Sequence, residues 1–535
     1  MGHGHTNTLF YGDNLHVLQA SVADESVDLI YLDPPFNSNA SYNMLFKSPD
    51  GSDSDAQINA FDDTWSWGPS AEEAVEWVRD SGHHKTFDLL ATMRAFLGDN
   101  DMMAYLAMMA ARLIELHRVL KDTGSLYLHC DPTASHYLKL LLDGIFGPRL
   151  FVNEIIWERT APKGHAHTRF PSSHDVILFY RKDEGAPWNP QYRSYDQSYI
   201  DSHYASIEEG TGRRYQLDNL LNPNKDRPNL TYEFLGVTKV WRWTRERMQK
   251  AYEEGRVVQS GPGKVPRFKR YLDEQKGMAL TSVWTDIHPI NSQAQERLGY
   301  PTQKPLALLE RIIAASSNEG DVVLDPFCGC GTALDAAENL GRKWIGIDVT
   351  HLAINLIEQR MKDSHPDAQF VVKGRPESLS GAEELAKRAP HEFEKWIVPK
   401  LDGHLFEGGR KGADGGIDGF IYFKPDGKKT EKAILSVKGG KNVGVSMIRD
   451  LHSTMEREKA TAAIFVTKAP PTKPMRTEAA KVGLFEDEWG NKRPRLQILT
   501  LAEIFQGKRP DLPFIVSPYK KAQRSAKADG QGTLL

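Results

Sequence analysis

Hydrophobic and polar positions along the chain predict two α/β regions that are separated by an irregular segment. Continuous apolar runs are typical of parallel strands covered on both faces. These runs lie at 27–32, 125–129, 176–180, 321–324 and 343–347. Apolar residues at helical spacing predict helices at 102–120 and 332–340, and Gly341 is placed to end the second helix. Strands that alternate with helices predict an α/β sheet.

The alternation stops at about residue 183, where Pro, Gly, Asn, Arg and aromatic residues become frequent. It returns near residue 301 and again in the C-terminal part, which has a predicted helix at 391–400 and strands at 420–423 and 433–438. The last residues are small, polar and basic, and we expect them to be disordered. The predicted segments are an α/β part at 1–182, an inserted region at 183–300, a second α/β part at 301–375, a C-terminal α/β domain at 376–513 and a tail at 514–535.

A glycine-rich turn joins the strand at 321–324 to the helix that follows. Its sequence, Asp325-Pro326-Phe327-Cys328-Gly329-Cys330-Gly331-Thr332, lets the backbone approach a ligand closely and aims a helix N-terminus at it. Asp348 ends the next strand, where doubly wound sheets place a carboxylate that accepts hydrogen bonds from ribose hydroxyls. The G-x-G-x-x-G fingerprint of NAD-binding proteins is missing, because Leu334 stands three positions after Gly331.

A second motif, Asp33-Pro34-Pro35-Phe36, follows the apolar strand at 27–32. The two prolines lack backbone N–H groups and stiffen the turn. The Asp33 carboxylate and a proline carbonyl then present fixed acceptors to an amino group, and Phe36 offers a face for a planar ring. An amino nitrogen held in this way keeps its lone pair for attack on an electrophile, so positioning would account for most of the catalysis. A turn that merely closes the strand would explain the same residues.

Together, the two motifs resemble those of the amino-methylating DNA methyltransferases. Asp33 to Phe36 resembles their motif IV, Asp325 to Thr332 their motif I, and Tyr300-Pro301-Thr302-Gln303-Lys304-Pro305 their motif X. The catalytic motif precedes the cofactor motif, an order that resembles the beta class, a circular permutation of the common Rossmann-like sheet. The resemblance implies S-adenosylmethionine as the cofactor and a base flipped out of duplex DNA as the methyl acceptor.

The resemblance also implies roles for individual residues. The catalytic residues would be Asp33, Pro34, Pro35 and Phe36. The cofactor-binding residues would be Asp13, Lys304, Pro305, Asp325, Phe327, Gly329, Gly331, Thr332 and Asp348. Aspartate at the start of motif IV and the beta order resemble adenine methylases, with N4-cytosine methylation as the alternative. Cytosine-C5 methylation is disfavoured because the chain contains no Pro-Cys pair.

The inserted region has a basic stretch between Lys239 and Tyr271. Ten Lys and Arg residues stand against three Glu, a local excess of seven positive charges, and aromatic residues are interleaved with them. Such side chains neutralise phosphates, read guanine edges and stack on bases, although a solvated basic face would have the same composition. The expected DNA-binding residues are Lys239, Arg242, Arg245, Arg247, Lys264, Arg267, Lys269 and Arg270, with Trp241, Trp243, Phe268 and Tyr271 as the interleaved aromatics.

The C-terminal domain places Asp418 at the start of one predicted strand and Lys438 at the end of the next. This arrangement resembles the catalytic core of Mrr-type restriction endonucleases, in which carboxylates hold Mg²⁺ and a lysine orients the attacking water. Ser436 departs from that family, which has Glu or Gln at this position, and Glu394 is the candidate substitute. One alternative is an active nuclease, and this domain would then be the only part of the protein expected to use Mg²⁺. The other alternative is a DNA-binding or assembly domain of the same fold.

Composition narrows the setting in which these motifs operate. The chain has 535 residues, a net charge of −4 and only three cysteines, which are too few for a disulfide framework. No apolar run reaches the roughly 18 residues that a membrane span needs. We therefore expect a cytoplasmic protein. The family resemblance implies duplex DNA as its partner and hence association with the nucleoid. A second copy of the chain and a separate restriction subunit are further candidate partners.

Overall fold

The computed structural model describes residues 6–35, 40–47, 53–63, 66–160, 170–291, 294–300, 302–406, 416–440 and 442–516. Residues up to 189 form seven strands and five helices. The strands are β1 (Asn7–Tyr11), β2 (Val27–Leu32), β3 (Ala40–Lys47), β4 (Asp53–Asp63), β5 (Leu120–Cys130), β6 (Phe151–Glu158) and β7 (His174–Arg181). The helices are α1 (Asn14–Ser21), α2 (Pro69–Asp80), α3 (His84–Leu97), α4 (Asp101–Val119) and α5 (Ser135–Phe146).

Residues 190–281 belong to a separate compact unit. Its strands are β8 (Tyr192–Arg193), β9 (Ser206–Ile207), β10 (Arg214–Asn219), β11 (Thr231–Phe234), β12 (Val237–Val240), β13 (Val257–Val258), β14 (Arg267–Tyr271) and β15 (Met278–Ala279). Its helices are α6 (Gln197–His203) and α7 (Arg245–Glu253). A four-stranded sheet, β13-β14-β10-β9, is accompanied by the hairpin β11-β12, and the fully buried Trp241 lies in the core.

The chain then completes the first sheet. The strands are β16 (Val283–Trp284), β17 (Val322–Asp325), β18 (Lys343–Asp348) and β19 (Phe370–Lys373), and the helices are α8 (Leu306–Ser316), α9 (Thr332–Asn339) and α10 (His351–Ser364). The nine strands are ordered β16-β6-β7-β5-β2-β17-β18-β1-β19, and every neighbouring pair is parallel except the two that include β7. The α/β fold class predicted from the sequence is confirmed.

This strand order brings the two sequence motifs together. β2 and β17 are neighbours in the sheet, with Ile30 opposite Leu324, although almost three hundred residues separate them in the chain. One face of the sheet packs on α1, α4 and α5, and the other on α8, α9 and α10, so strands such as β17 are buried throughout. Because parallel strands end at one edge, Asp33, Asp325 and Asp348 lie along the same edge of the sheet.

The C-terminal part forms a second sheet. Its strands are β20 (His404–Leu405), β21 (Gly419–Phe423), β22 (Glu431–Lys438), β23 (Ala462–Thr467), β24 (Leu484–Glu486), β25 (Lys492–Pro494) and β26 (Leu496–Thr500). Its helices are α11 (Leu379–Arg388), α12 (Pro390–Lys400), α13 (Val445–Arg457), α14 (Lys473–Lys481) and α15 (Leu501–Phe505). The order is β20-β21-β22-β23-β26, and one of its two core clusters extends to Leu352 and Leu356 of α10. Among the helices that the structure describes, none combines the length and apolar character that crossing a membrane requires.

Candidate active site and its relatives

Asp33 directly follows β2 at the edge where the parallel strands end. Its Oδ2 forms an ion pair with the ammonium of Lys304, which is 271 positions away in the sequence. Its Oδ1 is buried and has no hydrogen-bond partner among the described residues. A buried acceptor that lacks a donor costs about 1–3 kcal/mol, so this oxygen is suited to a donor that a ligand brings.

The residues after Asp33 restrict what can approach it. Pro34 and Pro35 have no backbone N–H and so cannot donate to the carboxylate. Phe36 lies outside the described residues, as do Pro301, the run 407–415 and the tail from 517. The stacking role of Phe36 and the disorder of the tail stay predictions.

The turn between β17 and α9 needs both of its glycines. Gly329 and Gly331 have φ angles of 49° and 75°, a region that residues with side chains rarely adopt. A Cβ atom on Gly331 would stand 2.8 Å from the Ile357 side chain, and one on Gly329 would stand 3.2 Å from the Tyr300 ring. Backbone conformation and close packing therefore both exclude larger residues from this turn.

Two carboxylates flank the same turn. Asp348 accepts from the Gly329 N–H at 3.0 Å and from the N–H and hydroxyl of Thr350, each at 2.8 Å. Burial raises the pKa of Asp348 to about 6, although these hydrogen bonds by themselves would lower it. Burial also raises the pKa of Asp325, which accepts from the Phe327 N–H at 3.0 Å. Both predicted carboxylates thus order the turn, and one lone pair of Asp348, on Oδ2, remains for a ligand.

Asp13, at the end of β1, has structural partners of its own. Its Oδ1 accepts from the His16 N–H at 3.2 Å and caps α1, while its Oδ2 pairs with Arg112 at 2.7 Å. The neighbouring Asn14 accepts from Arg112 at 2.5 Å and donates to the Pro326 carbonyl at 2.8 Å. Asn14 therefore links α1 to the glycine-rich turn, and Arg112 of α4 holds Asp13 and Asn14 in place. No sequence motif indicated these contacts.

A second arginine supports the turn from α10. Arg360 is 3% exposed and donates to Asp335 at 2.7 Å. It also donates to the Cys330 carbonyl and the Thr332 hydroxyl, each at 3.1 Å. Thr332, a predicted cofactor-binding residue, therefore places its hydroxyl in this buried network. Lys304, predicted for the same role, instead places its ammonium on Asp33.

The basic residues of the 190–281 unit have unequal surroundings. Lys269 pairs with Glu208 at 2.8 Å and Arg270 pairs with Asp218, acids that lie outside the basic stretch in the sequence. Arg247 lies 4.3 Å from the Trp243 ring centre. The other five predicted DNA-binding side chains are exposed and show no ion pair within the described part of the chain. They are Lys239, Arg242, Arg245, Lys264 and Arg267.

Two of the interleaved aromatic residues do not have the expected exposure. Trp241 is fully buried and donates to the Tyr232 carbonyl at 2.8 Å, and Tyr271 is 4% exposed. Both pack inside the unit because its small sheet and hairpins have few other large side chains to form a core. The expectation that they stack on bases is therefore wrong, while Trp243 and Phe268 are only partly buried.

The C-terminal sheet brings Asp418 and Lys438 together. The Lys438 Nζ lies 3.6 Å from Asp418 Oδ2, which also accepts from the Val437 N–H at 2.6 Å. Ser436 shares a strand face with Lys438 and is buried. Within the described ranges, no group of three or more His, Cys, Asp or Glu side chains is arranged to hold a metal. A second carboxylate ligand beside Asp418 stays a prediction.

Three functional candidates beside Asp33 were not identified from the sequence. Tyr31, His129 and Asp175 form a buried hydrogen-bonded chain across β2, β5 and β7. The available signals were the polar ends of apolar strands: Tyr31 stands two positions before Asp33, and His129 ends the run at 125–129. Their contact depends on strand order, which these local signals do not specify.

Comparison with protein families assigns the two α/β regions. A family model described as DNA methylase matches residues 27–359, more than half of the chain. The chain belongs to the DNA methylase family. The match covers Asp33, the 190–281 unit and the glycine-rich turn. A second model, described as restriction endonuclease, matches residues 385–486, so the predicted resemblance is confirmed for both regions of this methylase.

Curated relatives carry corresponding names. The type II methyltransferase M.EcaI of Enterobacter cloacae is 33% identical over 48% of this chain and 57% of its own length. The Mod subunit of the type III restriction-modification enzyme StyLTI of Salmonella typhimurium is 27% identical over 63% of this chain and 50% of its own length. The DNA adenine methyltransferase YhdJ of Escherichia coli is 26% identical over 68% of this chain and 86% of its own length. This methylase thus spans about half the length of the first two.

Proposed function

We propose that this methylase transfers a methyl group to the exocyclic amino group of an adenine flipped out of duplex DNA. The main support for the proposal is that the two oxygens of the Asp33 carboxylate have different surroundings. Lys304 holds Oδ2, while Oδ1 is buried and lacks a donor among the described residues. An amino group that donates to Oδ1 directs its nitrogen lone pair away from the carboxylate, where an electrophile can meet it.

S-adenosylmethionine is the proposed cofactor, and it supplies an electrophilic methyl group when bound. The residues present fit such a ligand, because the turn at Gly329 and Gly331 has positive φ angles and no side chains to cover its backbone. Asp348 Oδ2 can accept one hydrogen bond from a ribose hydroxyl, since it has two lone pairs and one bond from the Gly329 N–H. Contacts of the cofactor with Asp13, Pro305 and Phe327 belong to the same proposal.

Adenine is the proposed base for two reasons. The sequence Asp33-Pro34-Pro35-Phe36 resembles the adenine-methylating motif, and one relative is named a DNA adenine methyltransferase. N4-cytosine methylation is the alternative, because a cytosine amino group would use the same Asp33 acceptor. Methyl transfer to an amino group and the choice of adenine are therefore two distinct parts of the proposal, and identification of the methylated nucleoside tests each of them.

The inserted region 183–300 is proposed to recognise the DNA sequence. Residues 190–281 contain sixteen basic and twelve acidic side chains, whereas the whole chain has a net charge of −4. Exposed basic side chains without ion-pair partners in the described ranges are the best candidates for phosphate contacts, and they include Lys239, Arg242, Arg245, Lys264 and Arg267. Lys269 and Arg270 would first have to leave Glu208 and Asp218. The parts 1–182 and 301–375 would form the catalytic and cofactor-binding halves.

A second candidate function is Mg²⁺-dependent DNA cleavage by the domain proposed at 376–513. It is favoured by the restriction endonuclease match and by the 3.6 Å approach of Lys438 to Asp418. Ser436 weighs against it, because a serine hydroxyl is a poor ligand for a hard cation. A restriction subunit in a second chain would make this activity unnecessary.

The test uses the purified full chain with unmethylated duplex DNA and S-adenosylmethionine labelled in the methyl group. After digestion of the DNA to nucleosides, the proposal predicts label in N6-methyl-2′-deoxyadenosine. Label in N4-methyl-2′-deoxycytidine would keep the reaction but change the base, and DNA without label would overturn the proposal. Parallel incubations with Mg²⁺ or Mn²⁺ test cleavage, which Lys438→Ala should abolish. If the wild type leaves methylated and unmethylated DNA intact, the second candidate fails.

A further inference from the structure

A chain of buried polar side chains crosses the large sheet beside Asp33. The Tyr31 hydroxyl lies 2.9 Å from His129 Nδ1, and His129 Nε2 lies 3.1 Å from Asp175 Oδ2. Arg159 Nε lies 3.1 Å from the other Asp175 oxygen. Tyr31, His129 and Asp175 are each at most 2% exposed. Their burial is tolerated because they satisfy one another, and the methylation site described above leaves them without a role.

Strand register places this chain at the Asp33 end of the sheet. β2 pairs with β5 as far as Leu32, which is opposite Leu128, and Asp33 and His129 are the next residues of the two segments. Tyr31 is opposite Tyr127, so its ring must lean toward the end of the strand for its hydroxyl to reach His129.

Asp175 reaches the same edge from the opposite direction. β7 runs antiparallel to β5, so the start of β7 lies beside the end of β5. Asp175 is the second residue of β7, and its carboxylate meets His129 there. The three side chains thus form a continuous row, and the charge of Asp33 acts on Tyr31 at its near end.

The ionisation of Asp175 fixes the direction of the hydrogen bonds. Burial would raise the pKa of Asp175, but the hydrogen bond and charge of His129, followed by the charges of Lys304 and Arg159, hold it below its usual value. A carboxylate only accepts, so His129 Nε2 donates to it. When that proton is the only one on the ring, Nδ1 is an acceptor, and the Tyr31 hydroxyl donates to it.

Methyl transfer to an amino group requires the loss of one N–H proton. The exocyclic nitrogen is a weak nucleophile because its lone pair is delocalised into the ring, so removal of this proton as the N–C bond forms assists the reaction. Asp33 Oδ1 is the nearest base, but its partner oxygen is already paired with the Lys304 ammonium. A second, neutral base close by would take the proton onward.

We propose that Tyr31, His129 and Asp175 form a proton relay that takes this proton from Asp33, an inference that rests on the proposed function. The N–H bond breaks as the proton moves to Asp33 Oδ1. The proton then passes to the Tyr31 oxygen while the Tyr31 hydroxyl proton moves to His129 Nδ1. The imidazolium formed is paired with Asp175, and its proton returns to water by the same route after the product leaves.

The charges around the relay are consistent with this path. Burial, together with the carboxylates of Asp33, Asp325 and Asp175, raises the pKa of Tyr31. Tyr31 therefore passes a proton on as a hydroxyl and does not ionise. The charged groups that surround the row are Asp33 after β2, Asp325 at the end of β17, Asp175 in β7, Arg159 after β6 and Lys304 before α8.

The test compares two tyrosine-to-phenylalanine variants. Tyr31→Phe removes the hydroxyl that donates to His129 and keeps the ring. Tyr127→Phe is the matched control, because Tyr127 is 1% exposed, packs in the same core and bonds Ser316 at 2.7 Å instead. Single-turnover methylation should slow by about 10- to 100-fold in Tyr31→Phe and recover as pH rises, since hydroxide then takes the proton. Tyr127→Phe should keep the wild-type rate and pH profile.

A second readout does not depend on activity. In ¹⁵N NMR spectra of histidine-labelled, cofactor-free protein, His129 is identified by the resonances that His129→Gln removes. The relay predicts the Nε2–H tautomer, with an Nδ1 resonance that Tyr31→Phe shifts and Tyr127→Phe does not. Asp175→Asn, which removes the paired charge at nearly constant volume, should show the same pH-dependent loss if Tyr31→Phe fails to fold.

The outcomes separate the relay from the proposed function. If the wild type methylates DNA and Tyr31→Phe does so at the same rate and with the same pH profile, the relay is rejected and the proposed function stands. An Nδ1–H tautomer for His129 would reject the relay as well. A wild type that methylates neither adenine nor cytosine would reject both.

Discussion

Two sites in this methylase pair an aspartate at a strand end with a lysine, and their surroundings differ. At the first site, Lys304 holds one oxygen of Asp33, and the other oxygen is buried without a donor among the described residues. At the second, one oxygen of Asp418 faces Lys438 and also accepts from the Val437 N–H. The first lysine comes from a distant part of the chain, and the second from the neighbouring strand.

The difference shows that an Asp–Lys pair does not define a chemistry by itself. A single buried acceptor suits a neutral donor such as an amino group, because only one hydrogen bond has to be supplied. A hard cation needs several oxygen ligands, and Ser436 stands where a carboxylate would supply one. The neighbours of each pair therefore favour group positioning at Asp33 and leave metal chemistry at Asp418 incomplete.

The largest expected effect comes from removing the open acceptor. Asp33→Ala should lower kcat for methyl transfer by about a thousandfold, because the amino group loses the carboxylate that positions it. The dissociation constant of S-adenosylmethionine, measured by calorimetry, should change little. Asp418→Ala serves as the control and should methylate like the wild type. An equal loss of methyl transfer in Asp33→Ala and Asp418→Ala would show that the two sites do not differ in the way proposed.

The second prediction adds a carboxylate at the Asp418 site, where Ser436 replaces the Glu or Gln of the nuclease family. Ser436→Glu is expected to strengthen Mn²⁺ binding by about tenfold or more, because a carboxylate replaces a weak ligand beside Asp418. Calorimetry with Mn²⁺ measures this change, and Ser436→Gln is the matched control for side-chain size. Unchanged Mn²⁺ binding in Ser436→Glu would show that this position does not face a cation site.

The glycine-rich turn should respond more moderately. Gly331→Ala combines a strained φ with a close approach to Ile357, so we expect roughly tenfold weaker cofactor binding and an unfolding free energy lower by about 2 kcal/mol. Gly320→Ala has similar backbone strain, at φ 87°, but open space around the new Cβ atom. It should cost about 1 kcal/mol of stability and leave cofactor affinity intact. Similar affinity losses in both variants would argue against a specific role for the turn.

Near neutral pH, the smallest of these effects is expected from protonation of Asp348. The pKa of Asp348 is raised to about 6, so its carboxylate becomes protonated as pH falls through that value. Ribose hydroxyls donate to the ionised form, and cofactor affinity should therefore fall by about tenfold per pH unit well below pH 6. Calorimetric titrations across this range measure the slope. In Asp348→Asn, affinity should be weak and independent of pH; a persisting slope would assign the titration to another group.

The sequence predicted the parts of this molecule that depend on local pattern. Buried strands such as β2 and β17 are continuous apolar runs, and Gly331 stands where the backbone requires a positive φ. The motif at Asp33 and the glycine-rich turn were identified because each is a short segment whose residue types perform the chemistry. Their adjacency followed from the family resemblance and from the way parallel strands share an edge.

Contacts between distant segments could not be predicted in this way. The contact of Lys304 with Asp33 was not predicted, because the partners are 271 positions apart and no local pattern encodes their contact; the expected role of Lys304 at the cofactor stays a prediction. The ion pairs of Lys269 with Glu208 and of Arg270 with Asp218 were missed for the same reason, since both acids lie outside the basic stretch in the sequence. The row of Tyr31, His129 and Asp175 likewise depends on strand register.

The central claim is that this methylase modifies a DNA amino group held at Asp33. Modification-sensitive sequencing of DNA from methylation-deficient cells that express the wild type or Asp33→Ala tests it most directly. The account predicts N6-methyladenine at one defined sequence in cells with the wild type, and none in cells with Asp33→Ala. Unmodified DNA with the wild type, or equal modification with both proteins, would contradict it.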